Sequence, residues 1–160
     1  ARGLIPIGIG VGVNTGELIL GTIGGNIRME ETVIGDTVNV ASRMESLNKQ
    51  FGTQILISEP TFRSLSSNLD LKIRNIGFTA IKGKAKKAAA YEVYSHCHSE
   101  LIEQKEKVSV QLLEGCDLIE ENKYKEAEII FKASQSLAPL DPLLNYYIKL
   151  LMERSRRAGD

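Results

Sequence analysis

Apolar and small residues alternate from Ile5 to Val13, with Ile5, Ile7, Ile9, Val11 and Val13 on one side and Pro6, Gly8, Gly10 and Gly12 on the other. A period of two predicts a strand with one bulky face and one nearly bare face, against which a helix or a ligand can lie closely. Asn14-Thr15-Gly16 reads as a turn, and Glu17 to Ile23 as the returning strand of a hairpin. Asn26 to Glu31 then reads as a polar loop, and Thr32-Val33-Ile34 as a short extended piece. At that point the period changes. Val40, Met44, Leu47 and Phe51 follow at steps of four, three and four, the spacing of one buried helical stripe, while Glu45 and Lys49 form an outward pair. The helix is preceded by Gly35-Asp36, a corner at which Asp36 is expected to cap the first turn.

Beyond this helix the pattern predicts a strand at Ile55 to Ile57, a brief helix opened by Ser58-Glu59-Pro60 and running to Leu65, a strand beginning over Leu71 to Ile76, and a last strand at Ala90 to Tyr94. From Ser99 the chain becomes charged, glycine-poor and helical. Gly115, Tyr124, Ala127, Phe131 and Pro139 fall at the offsets of a single tetratricopeptide-like pair of antiparallel helices, with Leu118, Ala127 and Phe131 as the seam and a third helix from Pro142 to about Met152. One such pair lacks the stacked neighbours that make a peptide groove, so a packing or dimer appendage is the expectation for it.

Composition adds bounds. The 160 residues carry 42% apolar and 25% charged side chains, with twenty basic and twenty acidic residues interspersed, so formal net charge is zero. That balance offers no general affinity for nucleic acid or acidic membrane. No apolar run approaches the roughly 20 residues of a membrane helix. Cys97 and Cys116 are isolated thiols, which fits a reducing, cytoplasmic setting better than a disulfide framework, with membrane attachment of a longer parent left open. The chain starts almost directly in a strand pattern and is expected to continue upstream in that parent.

Candidate chemistry centres on the helix. Asn39 and Arg43 are one turn apart beside the buried stripe, and a carboxamide and a guanidinium so placed can act together on an anionic, sugar-bearing ligand; a solvated Arg and an indifferent Asn are the alternative. Lys82-Gly83-Lys84 sits in a predicted loop, where a lysine beside a glycine can meet phosphate oxygens or simply be solvated. The glycines before Asn14 make a poor dinucleotide fingerprint, because they lie within a strand and no helix follows them. His96-Cys97-His98 lacks a second cluster and reads as a linker, so no metal ligands are assigned within the chain.

GDTVNVASRMES resembles the characteristic helix of the class III nucleotidyl cyclases, and GVGVNTGELILGTIG upstream and IKGKAKKAAAYEVY downstream resemble the same family in the expected order, over about Ile7 to Tyr94. The resemblance implies an α/β (α+β) fold, a partial ferredoxin-like cyclase domain lacking its N-terminal part, over residues 1–95. A linker or helix start at 96–108 and an all-α, tetratricopeptide-like tail at 109–160 would follow. It further implies conversion of ATP to cyclic AMP and pyrophosphate, with Asn39 orienting the ribose, Arg43 stabilising charge on the α-phosphoryl group, Lys82 holding the β and γ phosphates with Lys84 as its less certain substitute, and Thr32 touching the purine. A hydroxyl at Thr32 is similar to adenylate rather than guanylate cyclases, although on its own chemistry it serves either base, so GTP stays open.

In the family, Mg2+ or Mn2+ is held by two aspartates upstream of anything similar here, and the site forms between two catalytic domains. The implied partners are therefore ATP or GTP and a second cyclase domain, as a homodimer or a mixed pair. The isolated chain is expected to be inactive. Two other classes remain: a regulatory half that binds nucleotide without turnover, and a scaffold in which the helical tail matters most.

Overall fold

The computed structural model describes residues 8–25, 28–79 and 88–158. Its architecture is mixed α and β. Strand β1 (Val11–Val13) is followed by β2 (Ile19–Gly25), β3 (Arg28–Ile34), helix α1 (Asp36–Phe51), β4 (Ile55–Ser58), α2 (Glu59–Ser64), β5 (Ile73–Thr79) and β6 (Ala88–Val93). Four helices complete the chain: α3 (Ser99–Lys107), α4 (Ser109–Glu120), α5 (Tyr124–Leu137) and α6 (Pro142–Ala158).

The main sheet has the order β1-β4-β6-β5, with β1 parallel to β4 and the other pairs antiparallel. Strands β2 and β3 form a separate antiparallel ribbon, with Ile19 opposite Ile34 and Gly25 opposite Arg28. This corrects two expectations. The turn at Asn14-Thr15-Gly16 does not return the chain alongside β1, and the stretch read as a polar loop is a strand from Arg28 onward. Local turn chemistry marks where a strand stops but not which strand it next pairs with; here β1 takes its partner from β4, 44 positions further on (Val11 opposite Ile55). Only Val11–Val13 of the predicted first strand is strand among the described residues, and residues 1–7 lie outside them.

Helix α1 buries the stripe read from the sequence: Val40, Met44, Leu47 and Phe51 are all in the core. It packs on the bare face of β1. A Cβ built on Gly12 would meet the Ala41 carbonyl and the Glu45 backbone, so this face accommodates a helix backbone. Asn48, 3% exposed, fastens the contact, donating to the Val11 carbonyl (3.0 Å) and accepting from the Thr53 hydroxyl (2.8 Å). The N-cap differs from expectation. Gly35 holds that position with no side-chain cap bond, and Asp36 is the first helical residue, where its charge still complements the positive helix end. At the other end Gly52 turns left-handed with φ 68°, lying against Pro142.

Short helix α2 is capped by the Ser58 side chain, which accepts from the Thr61 amide, with Pro60 in its first turn. Phe62 of α2 stacks on Tyr91 of β6 at 4.1 Å between ring centroids. Because Ala90 joins the core with α1, alternation along β6 puts Tyr91 and α2 on the opposite face of the sheet.

The tail helices do not stand apart. One core runs from Met44 and Leu56 through Ile76 to Leu112, Phe131, Leu144 and Leu151. The stretch read as a linker or helix start contains α3, whose start is capped by His98 Nδ1 accepting from the Leu101 amide. Gly115 lets α4 approach α5, since a Cβ there would lie 2.6 Å from the Phe131 ring. No helix among the described residues is long and apolar enough to cross a membrane.

Candidate functional site

The loops at one end of the sheet fix the start of α1. Asn14 Nδ2 donates to the Thr37 carbonyl at 3.0 Å, and the Thr37 hydroxyl donates to the Glu17 carbonyl at 2.5 Å. Asn14 Oδ1 in turn accepts from the Ser58 hydroxyl (2.6 Å), and Ser58 and Thr15 both lie within hydrogen-bond distance of Thr61 Oγ1. Four segments are thereby tied together: the end of β1, the first turn of α1, the end of β4 and the first turn of α2. Sequence reasoning saw Asn14-Thr15 only as a turn. The dipeptide carried no sign of its second use, because its partners at Thr37, Ser58 and Thr61 are remote in the chain.

Asn39 and Arg43 rise from the helix anchored in this way. Asn39 is exposed and Arg43 half-buried, one turn apart along the edge of the Val40-Met44-Leu47 stripe. Arg43 Nε is buried and has no hydrogen-bond partner among the described residues. A desolvated guanidinium N–H left unmatched costs about 1–3 kcal/mol, which an anionic ligand or an added partner surface would recover.

Thr32 lies in β3, opposite Gly21 of β2, three residues before the Gly35 corner. Lys82 and Lys84 lie outside the described residues; of the five predicted site residues, Asn39 and Arg43 are one turn apart on α1 and Thr32 is in the β2–β3 ribbon. Among the described residues no group of three or more His, Cys, Asp or Glu side chains is placed to hold a metal ion. Of His96-Cys97-His98, His98 is the residue that caps α3.

Apolar side chains surround this end of the molecule without cover. Leu18 just before the ribbon, Ile19, Leu20 and Val33 on it, and Val38 on α1 are exposed, Ile19 at 71%. Exposed apolar side chains grouped in this way are an arrangement that a second protein surface would cover.

A model of the adenylate and guanylate cyclase catalytic domain matches residues 4–96. The chain belongs to that family. It is 35% identical over 141 residues to the terminal-differentiation specific adenylate cyclase of Dictyostelium discoideum, a match covering 88% of this chain and 7% of that protein. It is 45% identical over 92 residues to the adenylate cyclase of Anabaena cylindrica, covering 57% of this chain and 18% of that protein. The chain thus spans less than a fifth of the length of either relative. A solved structure, the adenylyl cyclase CyaB from P. aeruginosa, superposes with a TM-score of 0.43 at 35% identity over 51% of this chain and 40% of that one. The match to the Dictyostelium cyclase is too long to fit within residues 1–96, so it runs on into the helices that follow the cyclase domain.

Proposed function

We propose that this chain is the transition-state half of a class III adenylate cyclase, acting on ATP together with a second cyclase domain. In the reaction the ribose 3′ oxygen attacks the α-phosphorus. The new O3′–P bond closes the ring, the bond from phosphorus to the bridging oxygen breaks, the hydroxyl proton passes to a base or to water, and pyrophosphate leaves. The observation that carries this reading is the pairing of exposed Asn39 with Arg43, whose Nε is buried without a partner among the described residues, on the helix that carries the family pattern. Asn39 orients the ribose, and Arg43 neutralises charge growing on the α-phosphoryl oxygens, an interaction worth most in the transition state. Thr32 contacts the purine, and Lys82, with Lys84 as its substitute, binds the β and γ phosphates. Divalent ions are assigned to carboxylates outside this chain.

The exposed ribbon residues support a homodimer or a mixed pair, in which the partner covers Ile19 and Leu20 and supplies what this half lacks. The helix pair α4 and α5, with Gly115 against Phe131, is read as a single tetratricopeptide-like unit that serves packing rather than peptide capture.

The test uses the parent enzyme. Arg43→Ala and Asn39→Ala are each expected to lower kcat by about 100-fold or more with a smaller change in KM, the pattern of an interaction made in the transition state. Equal loss through KM alone would refute the assignment. The isolated chain with manganese and ATP should form no cyclic AMP, and measurable turnover would overturn the half-site reading. If the parent binds ATP but shows no turnover with any divalent ion, the regulatory-half reading replaces this one.

A further inference from the structure

Four ionisable side chains are buried together where the helical tail meets the sheet. Arg74 of β5 donates through Nε to Glu92 Oε2 of β6 at 2.7 Å, and through Nη1 and Nη2 to the two oxygens of Asp141, at 2.5 and 2.9 Å. Lys105 of α3 donates to the other oxygen of Glu92, and both cations lie 5.8 Å from the centre of the Tyr94 ring. All four are at most 4% exposed. Burial opposes the charge on Arg74, but its bonds to Asp141 and the nearby Glu92 outweigh that and raise its pKa.

Two cations and two carboxylates cancel only when sheet and tail are together. The sheet alone would hold Arg74 with two empty donors and Glu92 with one unfilled acceptor. Asp141 also accepts from the Leu143 amide at the start of α6, so the residue that completes the arginine fixes the helix as well.

A second contact engages the same strand. The pairing of β5 with β6 slips between Asn75 and Phe78, and Gly77 there has φ 90°, a conformation glycine adopts readily. The bulge leaves the Ile76 carbonyl to accept from the Tyr147 hydroxyl of α6 at 2.6 Å. A Cβ on Gly77 would lie 2.8 Å from Cys116 Sγ and 3.0 Å from Tyr147 Oη, so the bulge and the tail fit only with glycine in place.

We propose that helices α3–α6 act as a positioning clamp on strands β5 and β6: Asp141 and Lys105 complete the Arg74–Glu92 pair, and Tyr147 holds the bulge at Gly77. A buried ion network is a poor source of net stability but fixes geometry, because displacing one member strands the others. The clamp therefore sets the relative placement of β5 and β6. It stands on these contacts and not on the cyclase reading.

Hydrogen exchange on the whole chain tests it. Asp141→Asn should speed amide exchange in β5 and β6 on the order of 100-fold, along with the start of α6, while β1 and β4 keep wild-type protection. Faster exchange confined to α5 and α6 would reduce the tail to an appendage, and a uniform rise across all strands would reduce the network to general stability; either result overturns the clamp. Should Asp141→Asn fail to fold, Tyr147→Phe takes away the hydroxyl that bonds Ile76 and the Cys116 thiol while keeping the ring. It is expected to speed exchange around the bulge about tenfold, and unchanged exchange there would count equally against the proposal.

Discussion

Substituting Gly12 by alanine tests how α1 is seated. The added Cβ would stand 2.9 Å from Glu45 Cα, 0.5 Å short of the 3.4 Å at which ordinary contact begins, and nearer still to the Ala41 carbonyl and the Glu45 amide. All three are backbone atoms of α1, so no side-chain rotation relieves the clash. The helix itself must move outward by at least that 0.5 Å. It is not free to do so, since Asn48 ties it to the Val11 carbonyl and Thr53 ties Asn48 in turn. Overpacking of this kind costs about 1–3 kcal/mol, and the rigidity of the neighbours puts Gly12 near the upper end. Losing glycine's freedom in the unfolded chain returns up to about 1 kcal/mol, leaving a net loss of about 2 kcal/mol. With a urea slope of about 2 kcal/mol/M, the unfolding midpoint should fall by about 1 M. Gly21→Ala is the control, because a Cβ there meets nothing within 4 Å. If both variants unfold at the same urea concentration, the close seating of α1 on β1 is wrong, and with it the placement of Asn39 and Arg43.

Two further perturbations probe other parts of the structure. Burial pushes the Cys116 thiol up to about 12 from an ordinary 9.0, so the folded chain keeps a proton that the unfolded chain gives up. The stability tied to that proton is complete below pH 9 and declines as pH climbs toward 12. Urea midpoints measured from pH 8 to 10.5 should therefore slope downward, less steeply in Cys116→Ala, and an identical slope in the variant would show that the thiol is not the source. Ser58→Ala removes both the cap on the Thr61 amide and the 2.6 Å bond to Asn14, and should cost about 1–2 kcal/mol; an unchanged unfolding midpoint would mean that the network at the start of α1 is idle.

Much of this protein was legible residue by residue. The four-three-four spacing of Val40, Met44, Leu47 and Phe51 specifies the buried side of α1, and with it the edge that carries Asn39 and Arg43, because a helix repeats by geometry alone. Ser58-Glu59-Pro60 announces α2, and the bare side of β1 announces close approach by another element, for the same local reason. Pairing across distance was not legible. The chain's turns gave no reason for β1 to choose β4 over β2, since register is settled by which faces are buried together. Nor did any spacing join Arg74 and Glu92 to Lys105 and Asp141: each alone reads as a solvated charge, and only the packing of the tail against the sheet makes them one neutral, buried group.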